Sequence, residues 1–481
     1  MTVNKPHLRG SRRAGALVAA VALGIPLLSA TPAAAVHGAV PGDFNGDGYR
    51  DAVLPAPGAK VAGKQFAGAV VVLYGSKSGL STARRQTITQ NTAGVPGSAE
   101  AFDQFGAATA TADLNRDGYA DLVVTAPYED TASRKDAGLL TVLWGGKNGL
   151  TAGALLPNPS PYGDYYGTDV AAVSSGAGAN TEILVSGQDG AVTLTGPFGR
   201  TGTVGQASVV NTSTPSIGTV ALGDFNGDTR PDGVSLSVRV SGLTGGQVYL
   251  GGAGPGGELR KGNGLIAATG DVNGDGFQDL VVGDPDDPEK AGVDGAAGGR
   301  VLVWYGSERG IAHDDVPVQL TQNTAGVPGS SEKDDNFGGA LAVADLNRDG
   351  LADIVVGSPY EDTGKDATDA GMVTVIPGRR TGALGSGSYA FTQDTPGVPG
   401  GGEAGDNFGT TVAVGDVNGD GKPELFISAA AENGYTGAVW VLPGGTSGPV
   451  TKGSHMIDAP SVGFTQEGWT ALGGNGLLHV I

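Results

Sequence analysis

From about residue 40 onward, short apolar runs alternate with clusters of Gly, Asp, Asn and Pro, and the runs come in a fixed order. The first kind alternates small residues, as in Gly106–Ala112, Gly339–Ala344 and Gly409–Gly415. The second is apolar at successive positions: Leu122-Val123-Val124, Leu280-Val281-Val282, Ile354-Val355-Val356 and Leu425-Phe426-Ile427. Continuous apolarity over so few residues suits a strand buried on both faces. A third run follows a loop, at 70–74, 140–144, 301–305 and 439–442. A fourth, more polar run stands at 86–90, 318–322 and 389–393. Four strands joined by turns, repeated along one chain, predict an all-β fold of four-stranded antiparallel units.

Between the first and second runs lies a nine-residue phrase, D-x-N-x-D-G-x-x-D, with Glu replacing the final Asp in the last copy. It starts at Asp43, Asp113, Asp224, Asp271, Asp345 and Asp416. A degenerate seventh unit keeps the strand pattern around Tyr166-Gly167 and Glu182–Val185. Ser174 stands in its first acidic position. The seven starts are separated by roughly 70, 61, 50, 47, 74 and 71 residues, which is the signature of a repeat architecture. We read a single seven-bladed β-propeller over 36–481, with blades at 36–100, 101–161, 162–213, 214–261, 262–333, 334–404 and 405–481. The tail from Trp469 to Ile481 carries a further short apolar segment, expected as a strand that helps close the ring with the first unit.

The phrase places oxygen ligands at alternate positions around a tight turn, which is how a short loop encloses a hard cation such as Ca²⁺. Positions 1, 3, 5 and 9 offer side-chain oxygen and position 7 a backbone carbonyl. The candidate sets are Asp43, Asn45, Asp47, Tyr49 and Asp51; Asp113, Asn115, Asp117, Tyr119 and Asp121; Asp224, Asn226, Asp228, Arg230 and Asp232. The other three are Asp271, Asn273, Asp275, Phe277 and Asp279; Asp345, Asn347, Asp349, Leu351 and Asp353; Asp416, Asn418, Asp420, Lys422 and Glu424. Glycine at position 6 permits a sharp reversal. The fourth loop has Thr229 there, so its site is expected to be weaker or distorted. An EF-hand needs a bidentate Glu at position 12 and flanking helices. Position 12 here is Leu54, Val124, Ser235, Val282, Val356 or Ile427, inside a strand. Asp-Gly and Asn-Gly also form tight hairpin turns without metal, but six copies that all retain the final acid favour up to six Ca²⁺ ions. Mg²⁺ fits less well because it keeps its waters in a tight octahedron. Such ions are expected to hold hairpins together rather than to act catalytically.

Around these loops the phrases Phe105-Gly106, Phe337-Gly338 and Phe408-Gly409 recur. Pro55-Ala56-Pro57, Thr125-Ala126-Pro127, Gly283-Asp284-Pro285 and Gly357-Ser358-Pro359 follow the loops. Phe-Gly, an Asp-rich loop, then Gly-Ala-Pro or a near relative resembles the FG-GAP repeat of the integrin α-subunit propeller and its bacterial relatives. The resemblance implies a seven-bladed propeller with Ca²⁺ in the loop between the first two strands of each blade. The chain departs from integrins in lacking cysteine, and no inserted adhesion domain is visible between blades.

The remaining composition narrows the role. Lys5, Arg9, Arg12 and Arg13, the apolar stretch 14–30 and Ala33-Ala34-Ala35 read as a signal peptide over 1–35, cleaved before Val36. Arg12-Arg13 also admits a twin-arginine export signal. No other long apolar run occurs, so the mature chain is expected to lack a transmembrane segment and to be secreted, a monomer that is extracellular or held at the cell surface. The formal charge of −20 becomes −24 once the four leader cations are removed. That balance excludes general nucleic-acid binding. The acidic loops hold 18 of the 49 carboxylates. Without cysteine, cross-linking would fall to the metal ions.

The loops joining the second and third strands, and the connections between blades, share the face away from the metal loops. They are long and acidic: Asp284–Glu289, Tyr128–Asp130 with Asp136, and Tyr360–Asp362 with Asp366 and Asp369. The connections 89–97, 321–329 and 392–400 are near copies. Long loops on a rigid scaffold are the usual place for recognition, although repeat inheritance and solvated surface produce the same pattern. His37, His313, His455 and His479 lie in no base–nucleophile motif, and no Gly-x-Ser-x-Gly turn appears. The expected role is a binding or adhesion scaffold for an extracellular protein or glycan, without catalysis. The alternative is a carbohydrate-active lyase or hydrolase, or a lectin, on the same frame.

Overall fold

The computed structural model describes residues 40–160, 164–175, 180–188, 190–210, 216–251, 257–466 and 468–476. The segment expected to be a signal peptide and the end of the tail lie outside them. The chain forms a seven-bladed β-propeller, each blade a four-stranded antiparallel sheet. Blade 1 consists of Val40–Gly42, Asp51–Ala56, Ala69–Leu73 and Arg85–Ile88, paired in sequence order. The remaining blades take their strands from 109–155, 170–210, 217–264, 266–320, 340–391 and 408–458. The outer strand of blade 4, Glu258–Gly264, runs three residues past the boundary expected at 261. Its connection to the next blade is the single residue Leu265.

The continuous apolar runs are buried on both faces. Every residue of Asp51–Ala56, Asp121–Ala126, Asp279–Asp284, Asp353–Ser358 and Glu424–Ala429 is buried. Alternate side chains of one strand serve different neighbours, as the two-residue strand period requires. In blade 1, Ala52, Leu54 and Val71 pack with Phe426, Val439 and Val441 of blade 7. Val53, Val70 and Val72 pack with Phe105, Leu122 and Val124 of blade 2. The core therefore lies between blades, and the sheet edges that a lone four-stranded unit would expose face the rim and the axis.

The ring closes through its innermost strands. Val40–Gly42 lies against both Thr109–Ala112 and Phe408–Gly415, so the innermost strands neighbour one another across the closure. The described part of the tail, 468–476, forms no strand. It threads between blades 7 and 1: Leu472 N–H donates to the Thr436 carbonyl at 3.0 Å and Gly473 N–H to the Pro55 carbonyl at 2.8 Å. Thr411 Oγ1 then donates to the Gly473 carbonyl at 2.8 Å. Gly473 sits at φ 98°, a backbone turn that lets both bonds form but that a strand residue does not adopt. The expected strand at 477–481 lies outside the described residues.

Candidate metal loops and the opposite face

All six acidic phrases form the loop between the first and second strands of their blades, and the ninth residue is the first of the second strand. Three side-chain-to-backbone bonds recur in all six loops, and a fourth, from the N–H of position 4 to the first aspartate, forms at Gly46, Gly274 and Gly419. In blade 1, Asp43 Oδ1 accepts the N–H of Gly46 at 2.7 Å and Oδ2 that of Gly48 at 3.0 Å. Asn45 Oδ1 accepts from Asp47 N at 2.8 Å, and Asp47 Oδ1 from Tyr49 N at 3.0 Å. Asp and Asn side chains wind the turn by capping their own backbone. The loop reverses at two left-handed positions, not one. Position 6 is Gly48, Gly118, Gly276, Gly350 or Gly421, and Thr229 at φ 67° in blade 4. Position 4 is also left-handed, with Arg116 at φ 61° and Arg348 at φ 64° where the other loops have glycine. Thr229 keeps the loop's bond pattern, its N–H donating to Asp224 Oδ2 at 2.8 Å.

The ninth residue does more than end the loop. Asp51 Oδ2 accepts from Phe44 N at 2.9 Å, and Oδ1 accepts from Gly75 N, just past the third strand, also at 2.9 Å. Asp121 with Gly145, Asp279 with Gly306 and Asp353 with Gly378 repeat this second bond at 2.9–3.0 Å. Motif reading did not find it. Its signal is the glycine that follows the third strand in these blades, where a Cβ would meet a neighbouring carbonyl oxygen at 2.1–2.5 Å. The loops also join blades through backbone. Ala120 N donates to the Asp43 carbonyl at 2.9 Å and Gly146 N to the Phe44 carbonyl at 3.0 Å. Ser76 N to the Val417 carbonyl, at 3.2 Å, makes the equivalent link across the closure.

Burial pushes the carboxyls of Asp51, Asp121, Asp279 and Glu424 up to about 7 and that of Asp353 to about 6. Neighbouring loop carboxylates add to the rise, and backbone N–H donors oppose it. Asp232 is raised for the same reasons. Few cations relieve this charge. Arg84 approaches Asp47 at 3.7 Å, Lys422 approaches Asp420 at 3.5 Å, and Arg200 pairs with Asp117. The loops thus present an all-oxygen, under-neutralised donor set whose chemistry fits a hard cation. Among the described residues, no three carboxyl or imidazole groups converge on one point, because the oxygens are turned onto amides. Occupying a loop would exchange amide bonds for metal bonds. In the degenerate third blade, Ser174 and Glu182 lie on paired strands, while 176–179 lie outside the described residues.

The opposite face carries the long loops and most of the exposed aromatic surface. Trp469 of the tail stacks on Tyr435 at 4.1 Å and 6°, and Phe66 stacks on Phe102 at 5.6 Å and 11°. Trp469 and Phe66 join the two pairs at 6.5 Å. Phe102 is 57% exposed and Trp469 44%. Phe66, Phe102 and Tyr435 are left-handed, at φ 53°, 75° and 70°. Bulky residues rarely hold that conformation outside functional or constrained sites. Nearby, a cavity of about 430 Å³ lies where the entries to the innermost strands of blades 2, 3 and 4 meet. Gln104, Tyr128, Tyr165, Thr168, Gln188 and Asn475 supply its polar lining.

The FG-GAP repeat model matches five stretches, residues 35–73, 105–143, 263–304, 337–376 and 408–442. The chain is 34% identical over 170 residues to phosphatidylinositol-glycan-specific phospholipase D of Mus musculus, covering 34% of this chain and 18% of that protein. It is 31% identical over 233 residues to integrin alpha pat-2 of Caenorhabditis briggsae, covering 45% of this chain and 17% of that one. The chain therefore matches less than a fifth of the length of either relative. A rhamnogalacturonan lyase of Bacillus licheniformis aligns at 16% identity and a TM-score of 0.26, covering 70% of this chain and 67% of that one, a likeness too weak to bear on fold or chemistry. With five matched repeats set in a ring of seven blades, the chain belongs to the FG-GAP repeat proteins and resembles the propeller of the integrin alpha chains.

Proposed function

We propose that this protein is an extracellular, calcium-stabilised propeller that binds a protein or glycan on the face away from its acidic loops. The aromatic ledge of Tyr435, Trp469, Phe66 and Phe102 is the observation that carries the reading. Flat apolar rings held open to solvent bury a large area at low entropic cost when a ligand lies on them. A glycan array probed with the full chain beside Trp469→Ala/Phe102→Ala tests it. Signal that falls at least tenfold in the variant supports the ledge, and signal that the variant leaves unchanged overturns it. Silence of both on the array moves the reading to a protein partner.

The second reading is a carbohydrate-active enzyme on the same frame, and the similarity to a phospholipase D keeps it open. Binding stands first because the described lining of the cavity holds no carboxylate, histidine, lysine or arginine, and Tyr128 and Tyr165 are its only acid–base groups. A polysaccharide-depolymerisation screen separates the two. Calcium in the six loops is supported by their oxygen donors and raised carboxyls, and a chelator is expected to lower the melting temperature. An ion bound at a hundredfold excess over its Kd adds about 2.7 kcal/mol. Melting that ignores both chelator and added calcium would make the loops turns only.

A further inference from the structure

Away from the acidic loops, three blade junctions repeat another constellation. The phrase Thr-Gln-x-Thr, then Glu-x-x-Asp-x-Phe-Gly, is written at 89–106, 321–338 and 392–409. The glutamine follows the outer strand of one blade, and a glutamate from the next blade's second-to-third-strand loop meets it. Gln90 Nε2 donates to Glu129 Oε2 at 2.6 Å and Gln393 Nε2 to Glu432 Oε2 at 2.8 Å; Gln322 bonds Glu361 in the same way. The separation is 39 residues each time. A buried aspartate completes each set, its Oδ2 accepting a backbone N–H three residues upstream: Asp103 from Glu100 at 2.5 Å, Asp335 from Glu332 at 2.6 Å, Asp406 from Glu403 at 2.8 Å.

Each of the three glutamines is 2% exposed, and each amide oxygen is buried without a hydrogen-bond partner. That amide lies against the glutamate carboxyl, so the unused oxygen belongs to the cluster. Asp103, Asp335 and Asp406 are no more than 4% exposed, and no salt bridge among the described residues reaches the six acids. Burial raises them all, as it does any carboxylate lacking a cation.

The junction between blades 4 and 5 shows what such a set takes. There Asn263 supplies the buried amide and Asp284 the buried carboxylate, and Arg300 sits between them. Its Nε donates to Asp284 Oδ2 and its Nη2 to Asn263 Oδ1, both at 2.8 Å. A cation there satisfies the amide oxygen and neutralises the acid together. The other three junctions have the same oxygen types and no arginine.

We propose that the Gln90–Glu129–Asp103, Gln322–Glu361–Asp335 and Gln393–Glu432–Asp406 junctions are three hard-cation sites, filled by Ca²⁺, that lock neighbouring blades on the face opposite the six acidic loops. Carboxylate and amide oxygens alone suit that ion. Equilibrium dialysis of the stripped full-length chain against calcium chloride, beside Gln90→Met/Gln322→Met/Gln393→Met, counts them. The expected result is three fewer ions per chain in the variant, a difference that persists when Asp43→Asn/Asp47→Asn disables a loop. Equal counts overturn the proposal and leave each Glu–Asp pair sharing a proton. Should the variant not fold, crystals of the wild-type chain grown in calcium chloride decide. Anomalous scattering between Gln90 and Glu129 supports the site, and its absence overturns it.

Discussion

Asp51 of the first acidic loop, at the start of the second strand, accepts the backbone N–H of Gly75, just past the adjacent third strand, at 2.9 Å. Its other oxygen holds Phe44 N. One carboxylate thus fastens its own loop to the turn beyond the third strand. Asp51→Ala strips the acceptor from two buried donors, each worth about 1–3 kcal/mol when left unmade. Urea unfolding is expected to show a loss of roughly 2–4 kcal/mol with calcium absent. A loss below about 0.5 kcal/mol would mean water replaces the carboxylate and the bond is incidental.

Thr229 holds φ 67° where the other loops use glycine. Left-handed backbone costs a β-branched residue about 1–2 kcal/mol, and glycine returns part of that as unfolded-state entropy. Thr229→Gly should therefore raise stability by about 0.5–1 kcal/mol. Asp275→Ala, in a loop without this strain, should destabilise more than Asp228→Ala in calcium. The opposite ranking in thermal melts would remove the idea of a weak fourth loop.

Arg300 is 3% exposed and Asp284 is fully buried; they meet at 2.8 Å within blade 5, and Arg300 Nη2 donates to Asn263 Oδ1 of blade 4, also at 2.8 Å. Breaking a buried pair from one side leaves an uncompensated charge, at about 3–5 kcal/mol. Arg300→Met should cost that much, and adding Asp284→Asn should recover part of it. A double variant no better than the single one would show that packing, not charge, makes Arg300 matter.

Asp169 is buried at the junction of blades 3 and 4, its oxygens accepting Val170 N at 2.7 Å and Val220 N at 2.8 Å. Burial raises its pKa to about 7, against the pull of those donors. The folded value lies above the unfolded one near 3.9, so the folded state binds the extra proton between them. Its contribution is full below about pH 4 and is lost as pH climbs through 7. The urea midpoint of Asp169→Asn should fall less over pH 4–7 than that of the wild type. Parallel curves would show that Asp169 does not titrate in this window.

Much of the fold was legible because the repeat supplies its own controls. Leu122-Val123-Val124 and its copies are strands buried on both faces because apolar residues at successive positions leave no face for water. Gly48 and its counterparts turn as expected because only glycine enters the left-handed region freely. Arg116 and Arg348 escaped notice because arginine carries no turn signal. Side-chain bonds inside the loop, Asp117 N–H to Asp113 Oδ1 and Asp349 N–H to Asp345 Oδ1, both at 3.1 Å, close the turn around them.

The tail shows the other limit. Leu472 and Gly473 spend their backbone bonds on Thr436 and Pro55 of two different blades. A local pattern carries no record of which edges lie within reach. The six oxygen-rich loops, the seven units and the buried second strands follow from the order of residues alone, since turn chemistry and two-residue alternation act over a few positions. The docking of Asp51 on Gly75, the aromatic ledge from Tyr435 to Phe102, and the empty amide oxygens of Gln90, Gln322 and Gln393 arise only when residues 24 to 39 apart, or on different blades, are pressed together. Those contacts are set by ring closure and inter-blade packing, which no stretch of nine residues encodes.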